Sequence, residues 1–356
     1  MQKSLIILII LFSSLLATAN DGAFFAKGNQ LIPISESDIS VKKEILTLKK
    51  IGHDYIEVNV YYEFFNPNDA KDLIVGFEAF SPSGDVNGAP KNGNHPYMND
   101  FTVDMNGKLL KYQIAYVEDS LYLKDNKVAG VDLDKFEGQK EGNYIDFYYV
   151  YYFNAHFKKG LNIVKHTYKY DLSGGICYNY NFEYVLTAAT RWANKQIDDF
   201  TLIIEPDELE SFQVSNTFFS SSEDWNLVGI GKSYDSGKSS TFHIRNGIVV
   251  FEKNNFKPAG ELYVNSYYCD EGAPYSEPPL SYNSRLVASW FLAEDDEVLN
   301  KLILRNLPFA RRGYIFKTKK LQEYYENVSW YIPDPNYIPV VAKLTDDEIK
   351  LIEENK

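Results

Sequence analysis

Hydrophobic and polar residues alternate along much of the chain. From Tyr55 to Phe65, Ile56, Val58, Val60, Tyr62 and Phe64 fall on one side, and Glu57, Asn59 and Glu63 fall on the other. A period of two is that of a strand with one buried and one wet face. Asn66-Pro67-Asn68-Asp69 supplies turn chemistry after it. The same reasoning predicts strands over Tyr144 to Phe153, Leu161 to Tyr170, Phe182 to Leu186 and Phe200 to Ile204. Two Asn-Gly pairs predict hairpins, Phe101–Met105 with Lys108–Ile114 around Asn106-Gly107, and Thr241–Arg245 with Ile248–Phe251 around Asn246-Gly247. The Gly-, Pro- and Asn-rich stretch from Ser81 to Asp100 reads as a long surface loop, most simply a connection. Many short strands separated by turns predict an antiparallel, β-sandwich-like domain over residues 20–270.

The pattern changes after a Pro-rich stretch. Residues 271–284 contain Pro278-Pro279 and read as a linker. Beyond it Val298, Leu299, Leu302, Ile303 and Leu307 recur at helical spacing behind Asp295-Asp296-Glu297. Pro308 is expected to kink or restart this helix, and Gly313 to cap it. A second helix is predicted over Lys319 to Asn327, and Thr345-Asp346-Asp347-Glu348 announces a third with a capping box. The fold class expected is therefore mainly β, with a small all-α C-terminal domain over 285–356.

The N-terminus carries a different pattern. Lys3 precedes the apolar run Leu5 to Phe12, Leu15 and Leu16 extend it, and Ala17-Thr18-Ala19 is a small-x-small cleavage sequence. These are the parts of a secretory signal peptide over residues 1–19. The run is shorter than the roughly 20 apolar residues of a spanning helix, so no membrane span is expected after cleavage. Removing 1–19 takes away one Lys and no acid, so the net charge goes from −13 to −14. Such an acidic chain lacks the basic footprint of a nucleic-acid binder. The expected location is periplasmic or extracellular, in a bacterium. There Cys177 and Cys269 are candidates for one disulfide, with two free thiols as the alternative. The 28 Tyr and 23 Phe are read first as strand builders.

Within the last fifth of the chain stand Arg305-Asn306, then Phe309-Ala310-Arg311-Arg312-Gly313-Tyr314, then Trp330-Tyr331, Pro333 and the Thr345 helix. In this order they resemble the YARHG domain, a module of bacterial exported proteins. Phe309 stands for the name motif's Tyr and Arg312 for its His. The resemblance implies an exported module and assigns it no chemistry. Asn20-Asp21-Gly22, the stretch from Ile39, and Tyr184-Val185-Leu186-Thr187 followed by Trp192, Ile197 and Phe200 resemble an uncharacterised family of exported β-rich bacterial proteins.

Candidate chemistry is sparse. Lys301, Arg305, Arg311, Arg312, Lys317, Lys319 and Lys320 form a basic island without an acid. It is a candidate site for an anionic envelope group, because Arg forks grip carboxylate and phosphate. The structural alternative is that Arg311 and Arg312 complement a helix end or pair with Asp295–Glu297 or the acidic last helix. Trp330 and Tyr331 are a candidate sugar-stacking platform, or else core filling. His53, His95, His156, His166 and His243 match no metal or triad spacing. Asp132, Asp134, Glu137 and Glu141 do not reproduce a calcium loop. No cofactor motif, catalytic set or metal site is expected. The function expected is non-enzymatic contact with an envelope polymer or envelope protein. The alternative is an envelope-polymer hydrolase using carboxylates of the β domain.

Overall fold

The computed structural model describes residues 24–25, 30–33, 38–84, 86–118, 123–124, 127–172, 178–267, 277–281 and 296–356. The leader 1–19 and both cysteines, Cys177 and Cys269, lie outside the described residues.

The strands in chain order are β1 (Phe24–Phe25), β2 (Gln30–Pro33), β3 (Ser40–Ile51), β4 (Tyr55–Asn66), β5 (Lys71–Ala79), β6 (Ser83–Gly84) and β7 (Met98–Met105). Next come β8 (Lys108–Leu109), β9 (Gln113–Val117), β10 (Leu123–Lys124), β11 (Lys127–Val128), β12 (Tyr148–Phe157), β13 (Gly160–Asp171) and β14 (Tyr178–Tyr184). The last are β15 (Ile197–Glu205), β16 (Glu210–Ser215), β17 (Trp225–Ser236), β18 (Ser239–Phe256) and β19 (Leu262–Tyr267). Helices α1 (Glu297–Arg311), α2 (Lys319–Glu326) and α3 (Asp346–Glu354) follow.

The large sheet runs β14-β19-β16-β18-β15-β3-β4-β13-β7-β8, with β17 also on β18. A smaller sheet, β2-β5-β12-β9, faces part of it. The pairings of the large sheet are antiparallel except one: β15 runs parallel to β3, Leu202 beside Leu46, and so joins the two halves of that sheet. Alternation decides the layering. Ile56, Val58, Val60, Tyr62 and Phe64 of β4 are all buried, as their spacing predicts. Between the sheets lies a layer of rings. Phe77 of the small sheet meets Tyr168 of the large one at 5.0 Å, and Phe64 meets Phe157 at 5.8 Å. The protein is thus mainly β with a helical C-terminal segment.

The two Asn-Gly pairs behave differently. Asn106 (φ 56°) and Gly107 (φ 82°) form the tight turn between β7 and β8, as expected. Asn246-Gly247 does not turn: β18 runs straight through it. Gly247 (φ 120°) faces Gly229 (φ 132°) across the β17–β18 pair, next to a register shift at Ile230/Gly231. A Cβ on Gly247 would lie 2.1 Å from Val228 O, so glycine is used here for close backbone approach. The reversal falls instead at Gly237-Lys238. Pro308 likewise does not restart a helix. Its ring is buried inside the unbroken α1, a position that drops one backbone bond and fills core instead. Val298, expected on the apolar face, is 80% exposed.

His166 sits fully buried in the ring layer. It stacks between Tyr62 and Tyr168, 5.9 Å from each, and neither ring nitrogen has a hydrogen-bond partner. Burial pulls its pKa down to about 3. The fold therefore holds a neutral imidazole where the unfolded chain binds a proton below about 6.5. Stability contributed by this group is complete above pH 6.5 and is lost as pH falls toward 3.

Two outcomes follow. His166→Phe keeps the stacking and removes two unpaired polar atoms. Denaturant unfolding is expected to show unchanged or higher stability at pH 7 and an acid slope shallower by about 1 kcal/mol per pH unit; a large loss at pH 7 would contradict this. Gly247→Ala is expected to cost more than about 3 kcal/mol, whereas Gly107→Ala, with open space around it, costs about 1 kcal/mol.

Candidate functional site

A half-open cavity of about 350 Å3 lies where the loop before β7 meets β7, Tyr112 and β12. Its wall begins with a tight reversal. Lys91 and Asn94 exchange backbone hydrogen bonds at 3.0 Å around Asn92 (φ 52°) and Gly93 (φ 79°), and the Tyr116 hydroxyl donates to Gly93 O at 3.0 Å. His95, 1% exposed, anchors the next residues. Its backbone N–H donates to the Tyr151 hydroxyl at 2.9 Å. Its Nδ1 accepts from Tyr97 N–H at 3.2 Å, so Nε2–H is the donor to Phe80 O at 3.1 Å. Both nitrogens being committed, and burial holding the pKa at about 4, His95 is a neutral structural imidazole.

Phe101, Tyr112 and Tyr151 give this cavity its aromatic lining, with ring centroids 5.0 to 5.6 Å apart. Its rim is polar: Lys91, Asn92, Asn94, Asn99 and Asp100. Asp100 (φ 52°) pairs with Lys169 at 2.9 Å, and Asn99 donates to Asp171 at 2.8 Å. The loop was legible in the sequence as a loop. Its aromatic floor was not, because Tyr112 and Tyr151 lie outside the loop, and Tyr151 is brought back to it by the pairing of β12 in the small sheet. The acids Asp132, Asp134, Glu137 and Glu141 stay on the surface side of the fold, Asp132 pairing with Lys135 at 3.2 Å. Among the described residues no three His, Cys, Asp or Glu side chains converge as metal ligands.

The residues singled out in the C-terminal segment gather at the end of α1. Asp296 caps its start by accepting from Leu299 N–H at 2.9 Å. Ala310 is fully buried. Arg311, 1% exposed, donates through Nε and Nη2 to Pro279 O at 3.1 and 3.0 Å. Arg312 forks onto Glu348 of α3, Nη1 at 2.7 Å and Nη2 at 2.9 Å. Glu348 also closes the Thr345 capping box. Gly313 (φ 88°) ends α1, its N–H donating to Ala310 O and Tyr314 N–H to Phe309 O. Asn306 donates back to Leu302 O at 2.7 Å. Lys301 pairs with Glu297, Lys319 with Glu323 and Lys320 with Asp296. Among the described residues, only Arg305 and Lys317 of the basic island make no ion pair. Trp330 and Tyr331 are 4% and 2% exposed. Trp330 donates to Pro278 O at 2.6 Å, and the Tyr331 hydroxyl donates to Tyr314 O at 2.7 Å. A stacking platform needs an open ring face; these two rings are enclosed by the segment's own core.

Comparison with known proteins agrees with the order of these motifs. Residues 288–356 match the YARHG domain. No curated protein sequence matches the chain. A crystal structure of a provisionally named nutrient binding protein from Legionella pneumophila is similar in fold, at 18% identity, covering 95% of this chain and 100% of its own, with a TM-score of 0.53. At that identity the likeness is one of fold. An M1 zinc metallopeptidase from Deinococcus radiodurans (9% identity, 64% of this chain, 42% of that one, TM-score 0.27) and baculovirus P35 (10%, 67%, 99%, 0.28) overlap too loosely to support any argument.

The YARHG domain is fastened to the β sheet by polar contacts that its backbone accepts. Lys232 of β17 donates to Tyr331 O at 2.7 Å, and Arg245 of β18 donates to Ile332 O and lies 3.8 Å from Asp334. A Cβ on Gly313 would come within 2.6 Å of both the Arg245 guanidinium and Ile332 O, so the motif glycine also makes room for this anchor. Beside it runs a one-way relay. Ser211 Oγ–H donates to His243 Nδ1 at 2.7 Å, His243 Nε2–H donates to Ser329 Oγ at 3.1 Å, and Ser329 Oγ–H donates to Glu277. Burial, helped by Lys232, lowers the His243 pKa to about 4 and keeps it neutral. Residues 277–281, part of the stretch read as a linker, form a strap here: Leu280 is buried in the YARHG core.

Removing one partner of a buried ion pair leaves an uncompensated charge, which costs about 3–5 kcal/mol. Glu348→Ala is expected to lose that much in denaturant unfolding, and Arg305→Ala less than about 0.5 kcal/mol. Equal, small losses in both would refute the role of Glu348 in neutralising the buried arginines.

Proposed function

We propose that this chain is an exported, non-enzymatic binding protein of the bacterial envelope. Its β part takes up a small polar ligand at the cavity between residues 91–101, Tyr112 and Tyr151. The YARHG domain, docked on the opposite end of the sheet, is the part that meets an envelope polymer or envelope protein. The leader sequence over 1–19 and the YARHG match support the location, and no helix among the described residues is long and apolar enough to cross a membrane. The observation that carries the binding reading is the cavity itself. It is concave, lined mainly by polar groups with the half-buried Tyr112 ring among them, and falls within the roughly 300–1,000 Å3 of ligand pockets. The similar fold of a protein provisionally named for nutrient binding supports the same reading.

Binding is favoured over hydrolysis by the acid count at the cavity. Carboxylate-pair hydrolysis needs two acids flanking the scissile bond. Asp100 is the one carboxylate lining this cavity, and it is held by Lys169.

Thermal-shift and calorimetric titration of the full mature chain with glucose, N-acetylglucosamine, glutamate, lysine and inorganic phosphate tests the reading. At least one solute should raise the melting temperature by linkage. Tyr112→Ala and Asn92→Ala should each weaken that solute at least tenfold, and Lys319→Ala should leave it unchanged. A complete absence of binding, or binding that survives both pocket substitutions, would reject the cavity as the site.

A further inference from the structure

Resting on the receptor reading above, we infer that the cavity selects an uncharged polyhydroxy ligand, a mono- or disaccharide, rather than an ionic solute. The argument begins with what each lining group has left to offer. The Asn94 amide N–H donates to Asn92 O at 3.0 Å, and the Asn99 amide N–H donates to Asp171. Each keeps its second amide N–H and its carbonyl oxygen, so both can still donate and accept. Asn92 spends neither end of its carboxamide on the protein and presents donors and an acceptor together. The Tyr151 hydroxyl has accepted from His95 N–H and meets no acceptor among the described residues, so it has a proton to donate. Tyr112 keeps its whole hydroxyl.

This mixture of donors and acceptors suits a hydroxyl, which does both at one atom. It suits a carboxylate or phosphate poorly. An acceptor-only ligand would leave the side-chain carbonyls without a donor and would face the Asp100 carboxylate, with Lys91 as the sole cation on the lining and no arginine fork. A cationic ligand fares little better, since Lys169 already holds Asp100 at 2.9 Å and Lys91 stands on the same rim. His95 adds no charge, being neutral with both nitrogens committed. Of the apolar lining, Met98, Phe101 and Tyr151 are almost fully buried, and Tyr112, half-buried, is the ring with a face left to pack against the C–H face of a sugar. A volume of about 350 Å3 at the small end of the pocket range leaves room for one or two rings.

The test is calorimetric titration of the full mature chain with glucose, N-acetylglucosamine and maltose against glutamate, lysine and inorganic phosphate. One or more neutral sugars should bind more tightly than every ionic probe. Asn92→Asp should weaken the sugar at least tenfold, because it exchanges two donors for a charge. Aspartate tolerates the positive φ of this position, and an unchanged melting temperature confirms that the variant folds. Lys91→Gln should alter sugar affinity less than threefold. Tighter binding of an ionic probe that depends on Tyr112 overturns the ligand class and leaves the receptor reading standing. Loss of sugar binding in Lys91→Gln also overturns it. Absence of binding by every probe rejects both.

Discussion

The layer of aromatic rings between the two sheets is the constraint on which the rest depends. Phe77 reaches Tyr168, Phe101 and Tyr151 at 5.0, 5.2 and 6.5 Å, so one side chain ties the small sheet, β7 and β13 together. Large rings bury much area per residue and prefer tilted or edge contacts. They therefore set both the spacing and the mutual rotation of the sheets. His166 is accepted into this layer as a flat ring, at the cost of two unsatisfied nitrogens. At the rim the layer ends at the half-buried Tyr112, which with Phe101 and Tyr151 lines a cavity. Core and candidate site are the same structure, seen from inside and from its edge.

The C-terminal segment follows a second rule, that buried charge must be answered. Arg311 is among the most enclosed of the described side chains; it donates to carbonyls of the 277–281 strap, and its Nη1 lies 3.9 Å from Glu348. Arg312 is satisfied by Glu348. Adjacent motif positions thus reach different elements, Arg311 the strap as well as Glu348, Arg312 the α3 residue Glu348, and Gly313 admits Arg245 from the β sheet. A short motif can specify a small domain in this way because its residues together recruit several different neighbours. The neutral relay through His243 and the anchors Lys232 and Arg245 then hold that domain against β16, β17 and β18.

Much of this was legible in the chain. The alternation of β4, the Asn106-Gly107 turn, the Thr345 capping box and the Gly313 cap are local, and local sterics decide them. The order of motifs that resembles the YARHG domain is also a property of sequence, and the family match covers the same segment. The Asn246-Gly247 pair was misleading, because the same two residues can turn a chain or let two backbones touch, and only the facing Gly229 decides between them. Pro308 restarts no helix for a similar reason: burial of its ring in a formed core outweighs a lost backbone bond.

By itself the sequence determined the element types, the mainly β class with a helical end, the acidic balance and the motif identity, since each depends on neighbours a few residues apart. Tertiary structure alone decided the parallel β3–β15 seam, the partners of Arg311 and Arg312, the enclosure of Trp330 and Tyr331, and the cavity. The residues involved in these lie tens to more than a hundred positions apart. Their meeting is set by how sheets pack and which buried groups need satisfying, and neither is written in any local period.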